Sequence, residues 1–571
     1  MKNFVTGTIQ WWAGSKPAGP PGDLVPRWLF LRALGVIYVS AFYSLLLQIR
    51  GMLGPDGLLP ARSYLEEVAK VMGGARYWYT PTVLWFASGN HALIAVCWVG
   101  LIAAILLFAN LWPRAMLAVC FSCFLSFVST AQDFSGYQSD GMLLCAGFIS
   151  FFLAPRGWRP RWGAEEPPSR ASLFLLRLLW FSIYFESGVA KFFGGDPTWR
   201  NLSAMNEYYQ NGPLPTWIGW YAQQLPQKFH ESTAFVTLFV ELLVPWMLWL
   251  PRQARIACFF IVTLLQIGII LTANYAFLNY LVLALGIFLL DDLFLVQFLP
   301  RGSCKAVREV LQQPAPAPWY ANLLQAFRGP EEKIVLSLST LSPSGPEAAS
   351  TKAARNLESG LTFKPIVAMI GLWIKAFLLA WVGYAMAVLM VQQVLPRSPF
   401  PAKPIAALEP FRIANSYGLF GRMTWARYEI EFQGSNDGAI WIEYPFRYKP
   451  QKLSEAPGIY APYQPRFEWN LWFASLATWR ENPFVLRTEE RLLLNQPDVL
   501  ALFRSNPFAR VPPKEVRAVL WRYWFTDRTT KRATGQWWRR EFQGLYAPVL
   551  GRTPDGKIIV VEWPQTSVQQ P

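Results

Sequence analysis

Nine apolar runs dominate this chain, and a soluble core has no room for that many. Eight lie before residue 300, at about 28–49, 92–109, 114–130, 141–153, 173–193, 234–250, 255–272 and 275–294; a ninth runs over about 366–391. Roughly 17–25 apolar residues span a bilayer as a helix, so the pattern predicts a polytopic membrane protein of about 8–9 spans, the fourth run being short. Composition agrees. Hydrophobic residues make up 53% of the 571 and charged ones only 15%, and the 28 tryptophans suit a bilayer interface. The net charge of +16 is spread thinly or set beside apolar runs. Nucleic-acid binders instead cluster basic residues among stacking aromatics. The partners predicted from charge are therefore membrane lipids, and no nucleic acid.

The positive-inside rule orients the spans. The turns after the second, fourth, sixth and eighth carry Arg114, then Arg156, Arg159, Arg161 and Arg170, then Arg252 and Arg255, then Arg301, Lys305 and Arg308. The turns after the third and seventh carry no lysine or arginine. Residues 1–27 are thus expected to be a cytoplasmic N-terminal segment ahead of a membrane domain at 28–300. Arg50, Arg62, Lys70 and Arg76 after the first span dissent. A cytoplasmic segment and Ser/Pro/Ala-rich linker at 301–364 leads to the final span at 365–394, and nine spans put residues 401–571 on the exoplasmic side. There the texture changes. "MTWARYEIEFQGSNDGAIWIEYPFRYKP" alternates apolar and polar residues about a Gly-containing turn, a hairpin signal. A second strand pair is expected near "VRAVLWRYWFTD" and "GKIIVVEWP". "LWFASLATW" and "TEERLLLNQPDVLALF" have helical spacing. The fold class is an α-helical polytopic membrane domain followed by a β-rich α+β exoplasmic domain.

Ionisable and amide groups near spans are costly to bury and mark candidate sites. Three clusters fall on the predicted exoplasmic side. One holds Asp133, Tyr137, Gln138 and Asp140; another Glu186, Lys191, Asp196, Trp199 and Arg200; the third Asn274, Tyr275, Asn279 and Tyr280. They are expected to line one polar, outward-opening cavity. Lys191 has three readings: a snorkelling anchor, an ion-pair partner of Glu186 or Asp140, or a desolvated general base. "YQPRFEWNLWFA" and "QWWRREFQGLY" mix arginine with aromatics, as core and protein-binding surfaces both do. Arg466, Trp469, Trp472, Trp537 and Trp538 are the partner-binding candidates.

Other chemistry is poorly represented. The only histidines are His91 and His230, and no nucleophile elbow or P-loop is present. No metal site or cofactor is expected. Cys120 and Cys123 form a CxxC inside an apolar run, and no cysteine follows Cys304.

Several stretches resemble the lipase maturation factor family. They are "RALGVIYVSAFYSLLLQIRGMLGPDGLLPARSYL", "GYQSDGMLL", "SGVAKFFGGDPTWRNLSAMNEYYQNGPLPTWIGWYAQQLP", "ELLVPW", "TANYAFLNYL" and "LLDD", then "NSYGLFGRMTWARYEIEFQGSNDG", "YPFRYKP", "YQPRFEWNLWFA" and "WWRREFQGLYAP". The resemblance implies a chaperone-like membrane protein that helps dimeric exported lipases become active, with an exported client protein as partner and no established catalytic reaction. The chain lacks a KDEL-like C-terminus and its exoplasmic domain lacks cysteine, which fits a bacterial inner-membrane member; a eukaryotic one would sit in the ER membrane. "SGVAK…DPTW" is also similar to a stretch of vitamin K-dependent γ-carboxylases, where the matching lysine, here Lys191, is the base. That likeness implies an alternative: a membrane enzyme acting on a quinone or lipid, with Lys191 as base and Glu186 or Asp140 as its partner. The comparable turn at 136–140 has no histidine, unlike the carboxylases.

Overall fold

The computed structural model describes residues 22–312 and 363–565. The 340–360 linker and most of the N-terminal segment lie outside them.

The membrane half is helical: α1 Leu24–Leu53, α2 Ala61–Met72, α3 Asn90–Phe108, α4 Pro113–Val128, α5 Gln138–Leu153, α6 Arg170–Phe193, α7 Trp217–Gln223, α8 Gln227–Leu242, α9 Arg252–Thr272 and α10 Leu278–Gly286. A long helix, α11 Phe363–Val394, precedes the C-terminal domain. Among the described residues six helices are long and apolar enough to cross a membrane, or seven if the pair Leu278–Leu289 and Asp292–Phe298, bent by 103°, forms one span. The apolar runs alone predicted about 8–9, with the fourth run short. The difference lies in α4 and α5, and in the bent pair where it is not counted as one span. α4 and α5 have 16 residues each, about 24 Å at ~1.5 Å per residue, short of a ~30 Å hydrocarbon core. Hydropathy counts their side chains without measuring that length.

α1 and α3 pack with almost no side chain between them. A Cβ on Gly35 would stand 2.9 Å from the backbone nitrogen of Phe108. Small residues let helix backbones approach in this way inside a membrane.

The C-terminal domain is a six-stranded antiparallel sheet with helices against it. Its strands are β1 Arg427–Ser435, β2 Ile442–Glu443, β3 Glu515–Phe525, β4 Trp538–Leu545, β5 Val549–Arg552 and β6 Ile558–Glu562. The order is β2-β1-β3-β5-β6, with β4 also on β3. The alternation read in the sequence is visible in β1: Tyr428, Ile430 and Phe432 point one way, Arg427, Glu429 and Glu431 the other, all buried. The expected hairpin forms, with Gln433 opposite Glu443. The second expected pairing is revised. β5 lies between β3 and β6, and β3 pairs along its length with β1 and β4. Helices α12 Arg466–Ala474, α13 Pro483–Leu493 and the short α14 Arg528–Thr534 complete the domain. One apolar core runs without a break through both halves of the chain.

Gly35→Leu should force α1 from α3, because the obstructing atom is backbone and cannot rotate away. The expected cost is about 1–3 kcal/mol, read as a lower melting temperature of the purified protein in detergent. Gly268→Ala is the control: its Cβ would meet nothing within 4 Å, and the melting temperature should hold or rise slightly.

Candidate functional site

The three polar clusters lie at one end of the helical bundle, and the C-terminal domain occupies that end. Two straps of chain, residues 412–428 and 457–470, run across the helix ends and supply hydrogen-bond partners.

The first strap serves α6. Glu186 Oε2 accepts the Tyr417 amide at 2.6 Å, Ser187 Oγ the Leu419 amide at 3.3 Å, and Gln138 Oε1 the Gly418 amide at 3.2 Å. Trp199 Nε1 donates to the Phe420 carbonyl at 2.9 Å. Asp196 accepts from Thr198 through one oxygen and from the Met423 amide through the other, at 2.7 Å. Burial alone would push the Asp196 carboxyl up. The Thr198 hydroxyl, the Met423 and Thr198 amides and the nearby Arg422 charge outweigh it and hold the group below the usual aspartate range. Arg427, fully buried, ends the strap by donating to the carbonyls of Gln210, Gly212 and Pro213.

Lys191 pairs with neither candidate partner. Its Nζ donates to Glu241 Oε2 at 2.6 Å and to the Leu419 carbonyl at 2.7 Å, and lies 5.3 Å from the centre of the Trp199 ring. Glu186 and Lys191, five positions apart, point to different faces of α6. Glu241 comes from α8, held close because a Cβ on Gly188 would meet Leu242 at 2.9 Å. The signal for Glu241 was present in the sequence: a lone carboxylate within an apolar run requires a partner.

The second strap serves α1, α5 and the turn before α10. Arg466, at the start of α12, grips both oxygens of Asp140 at 2.7 Å and donates to the Phe134 carbonyl at 2.9 Å. Neither side chain of the pair is more than 1% exposed. Tyr137 donates to Asn470 at 2.6 Å, and Asn470 to the main-chain carbonyl of Asp133. Asn274 accepts the Tyr460 and Ala461 amides and donates to the Gly458 carbonyl. Gln48 bridges α1 to Gln464 and Phe467.

The remaining candidates are placed as follows. Asn279 bonds to Gln266 inside the bundle, away from the straps. Arg200 is exposed. Trp469 packs on Tyr137 at 5.0 Å, and Trp472 is buried. Trp538 is buried against Phe525, while Trp537 is half-buried beside Trp220. Cys97, Cys120, Cys123, Cys145 and Cys258 are free and buried. Among the described residues no group of histidine, cysteine and carboxylate side chains has a metal-binding arrangement.

Comparison with known proteins accounts for both halves. The lipase maturation factor transmembrane domain model matches residues 25–297, and the lipase maturation factor C-terminal domain model matches 413–548. The chain belongs to the lipase maturation factor family. It is similar to lipase maturation factor 2 of Gallus gallus, 32% identical over 92% of this chain and 81% of that protein. Human lipase maturation factor 2 is 30% identical over 92% and 83%, and mouse lipase maturation factor 1 is 30% identical over 96% and 92%. No solved structure matches the chain. The two family domains meet at the straps: the second match begins at residue 413, one residue into the first strap.

Breaking the Asp140–Arg466 pair one-sidedly leaves a buried charge without a partner. Arg466→Ala or Asp140→Ala should each cost about 3–5 kcal/mol. Each should make residues 412–565 far more sensitive to limited proteolysis in intact membranes. Asp140→Leu with Arg466→Met should recover much of that loss, and equal sensitivity of single and double variants would refute the coupling. Acid should act on the same seam. Asp196 has a lowered carboxyl pKa when folded, so its contribution is complete above the unfolded value of about 3.9 and is lost as pH falls through the lower folded value. Asp196→Asn should flatten that part of the stability–pH curve below about pH 4.

Proposed function

We infer that this chain is a membrane-embedded maturation factor that helps exported lipases reach the folded, active state. The observation that carries this is the match to the family across both the membrane and C-terminal domains, joined here by one continuous seam. The C-terminal domain faces the secretory compartment, where a client lipase folds, and the N-terminus is cytoplasmic; the arginine-rich alternate turns support that orientation. The membrane is that of the ER in a eukaryote and the inner membrane in a bacterium. The client is an exported protein, a lipase above all, and no cofactor is required.

In this reading Lys191 is a structural cation. Its ammonium is held by a carboxylate from a neighbouring helix and a strap carbonyl. That ties α6, α8 and the C-terminal domain together.

Co-expression with a dimeric secreted lipase, in cells lacking their own maturation factor, tests the proposal. The specific activity of secreted lipase should rise several-fold, with little change in its synthesis. Lys191→Met with Glu241→Leu should retain that effect, since a buried ion pair is often replaceable by apolar side chains of similar volume. Loss of the effect in that variant at normal protein levels would favour a general base at Lys191. No effect of the wild-type chain on any lipase would overturn the proposal.

A further inference from the structure

A second site lies at the rim of the seam, between α7 and α14. A cleft of about 530 Å³ opens there, lined by Trp220, Tyr221, Trp537 and three cations of α14: Arg528, Lys531 and Arg532. Lys531 Nζ stands 3.5 Å from the centre of the Trp537 ring, 4.9 Å from Trp220 and 5.5 Å from Tyr221. These rings fix the ammonium at the wall of the cleft. Arg528 and Arg532 are exposed, and among the described residues no carboxylate pairs with any of the three. Asp527, the nearest acid in the chain, turns its two oxygens to the Thr530 amide and hydroxyl, each at 2.8 Å. Three positive charges thus line a cleft of ligand size, none of them in an ion pair among the described residues.

The depth of this cleft follows from the chain around it. Gln224 Nε2 donates to the Thr526 carbonyl at 3.2 Å. Gln224 lies three residues before α8, a helix within the candidate span Gln227–Trp249. Thr526 lies two residues before α14. The cations therefore sit level with the end of a membrane helix. Beyond the polar first turns of α8, which expose Gln227, Lys228 and Ser232, its outward surface is apolar, with Phe235, Val236 and Phe239 exposed. Tyr221 lines the cleft and Trp217 packs beside it at 6.2 Å; both rings are exposed, as amphipathic rings of the headgroup layer are.

We propose that this cleft binds the phosphodiester headgroup of an anionic phospholipid from the leaflet facing the C-terminal domain. Arg528 and Arg532 pair with the phosphate oxygens, and the acyl chains lie on the exposed face of α8. Planar guanidinium groups suit bidentate phosphate recognition. The bound lipid would fasten the far edge of the C-terminal domain to the membrane, in addition to the straps.

The test is native mass spectrometry of the full-length protein in detergent, titrated with phosphatidylglycerol or phosphatidylcholine. One phosphatidylglycerol should be retained in preference to phosphatidylcholine. Arg528→Ala with Arg532→Ala should weaken that binding about 25-fold, at about fivefold per charge near a lipid surface. Arg528→Lys with Arg532→Lys should recover only part of that binding, because lysine keeps the charge but loses the bidentate geometry. Among the described residues neither arginine makes a side-chain bond, so the melting temperature without lipid should be unchanged. Should the double variant prove unstable, Arg532→Ala alone serves, with about a fivefold loss. Equal retention of phosphatidylglycerol by wild type and the alanine variant would overturn the proposal, as would equal retention of the two lipids. Displacement of the lipid by millimolar inorganic phosphate would also overturn it, since the cleft would then take a free ion.

Discussion

A carboxylate in the first turn of a membrane helix cannot stay charged and unpartnered at negligible exposure. Asp140 therefore dictates where Arg466 must lie, 326 residues later. The grip is bidentate, so it sets orientation as well as position. Arg466 is the first residue of α12, and α12 packs under β1 through the Ser475 hydroxyl and the Tyr428 carbonyl. Fixing one guanidinium thus fixes a helix, and the helix fixes the sheet above it. The other seam contacts elaborate a placement that this pair already specifies.

Most of those contacts use backbone on the C-terminal side. Glu186, Gln138, Ser187 and Asp196 all accept from main-chain amides of residues 417–423, and Lys191 and Trp199 donate to main-chain carbonyls of the same stretch. A strap this close to a helix needs small residues: a Cβ on Gly421 would stand 3.1 Å from the Ala190 Cβ. The arrangement solves two problems at once. Polar groups at the helix ends gain partners that water would otherwise supply, and an irregular segment has its own amides and carbonyls satisfied.

These features also explain what the sequence disclosed and what it withheld. Spans were legible because apolar runs are local. The span count was less legible, because hydropathy does not register that α4 and α5 are helices of only 16 residues each. The β1–β2 hairpin was legible from alternation and its turn, whereas β5, four residues long, left too little pattern to separate β3 from β6. The polar residues of the clusters were conspicuous because they lie within or directly beside apolar runs. Their partners were not. Backbone partners carry no residue signature, and side-chain partners such as Arg466 lie hundreds of positions away. Lys191 shows the point most clearly. A search along its own helix and the nearest turn offers Glu186 and Asp140, yet the partner comes from a neighbouring helix, 50 residues on.

Neither half of this molecule is electrostatically complete alone. Without the C-terminal domain, Asp140 loses its guanidinium, Glu186 its amide and Lys191 one of its two acceptors. Without the membrane domain, Arg466 and Arg427 face outward with their carbonyl and carboxylate partners gone, though Arg427 keeps Glu429 within its own strand. Folding of the second half is therefore coupled to the finished membrane half. The straps have nothing to bind until the helix ends are in place. A maturation factor built this way holds its C-terminal domain fixed against the helix ends rather than on a loose tether. The surface it offers a folding client is then set by the helices beneath it. A substitution deep in the membrane half can displace that surface without touching any residue the client meets.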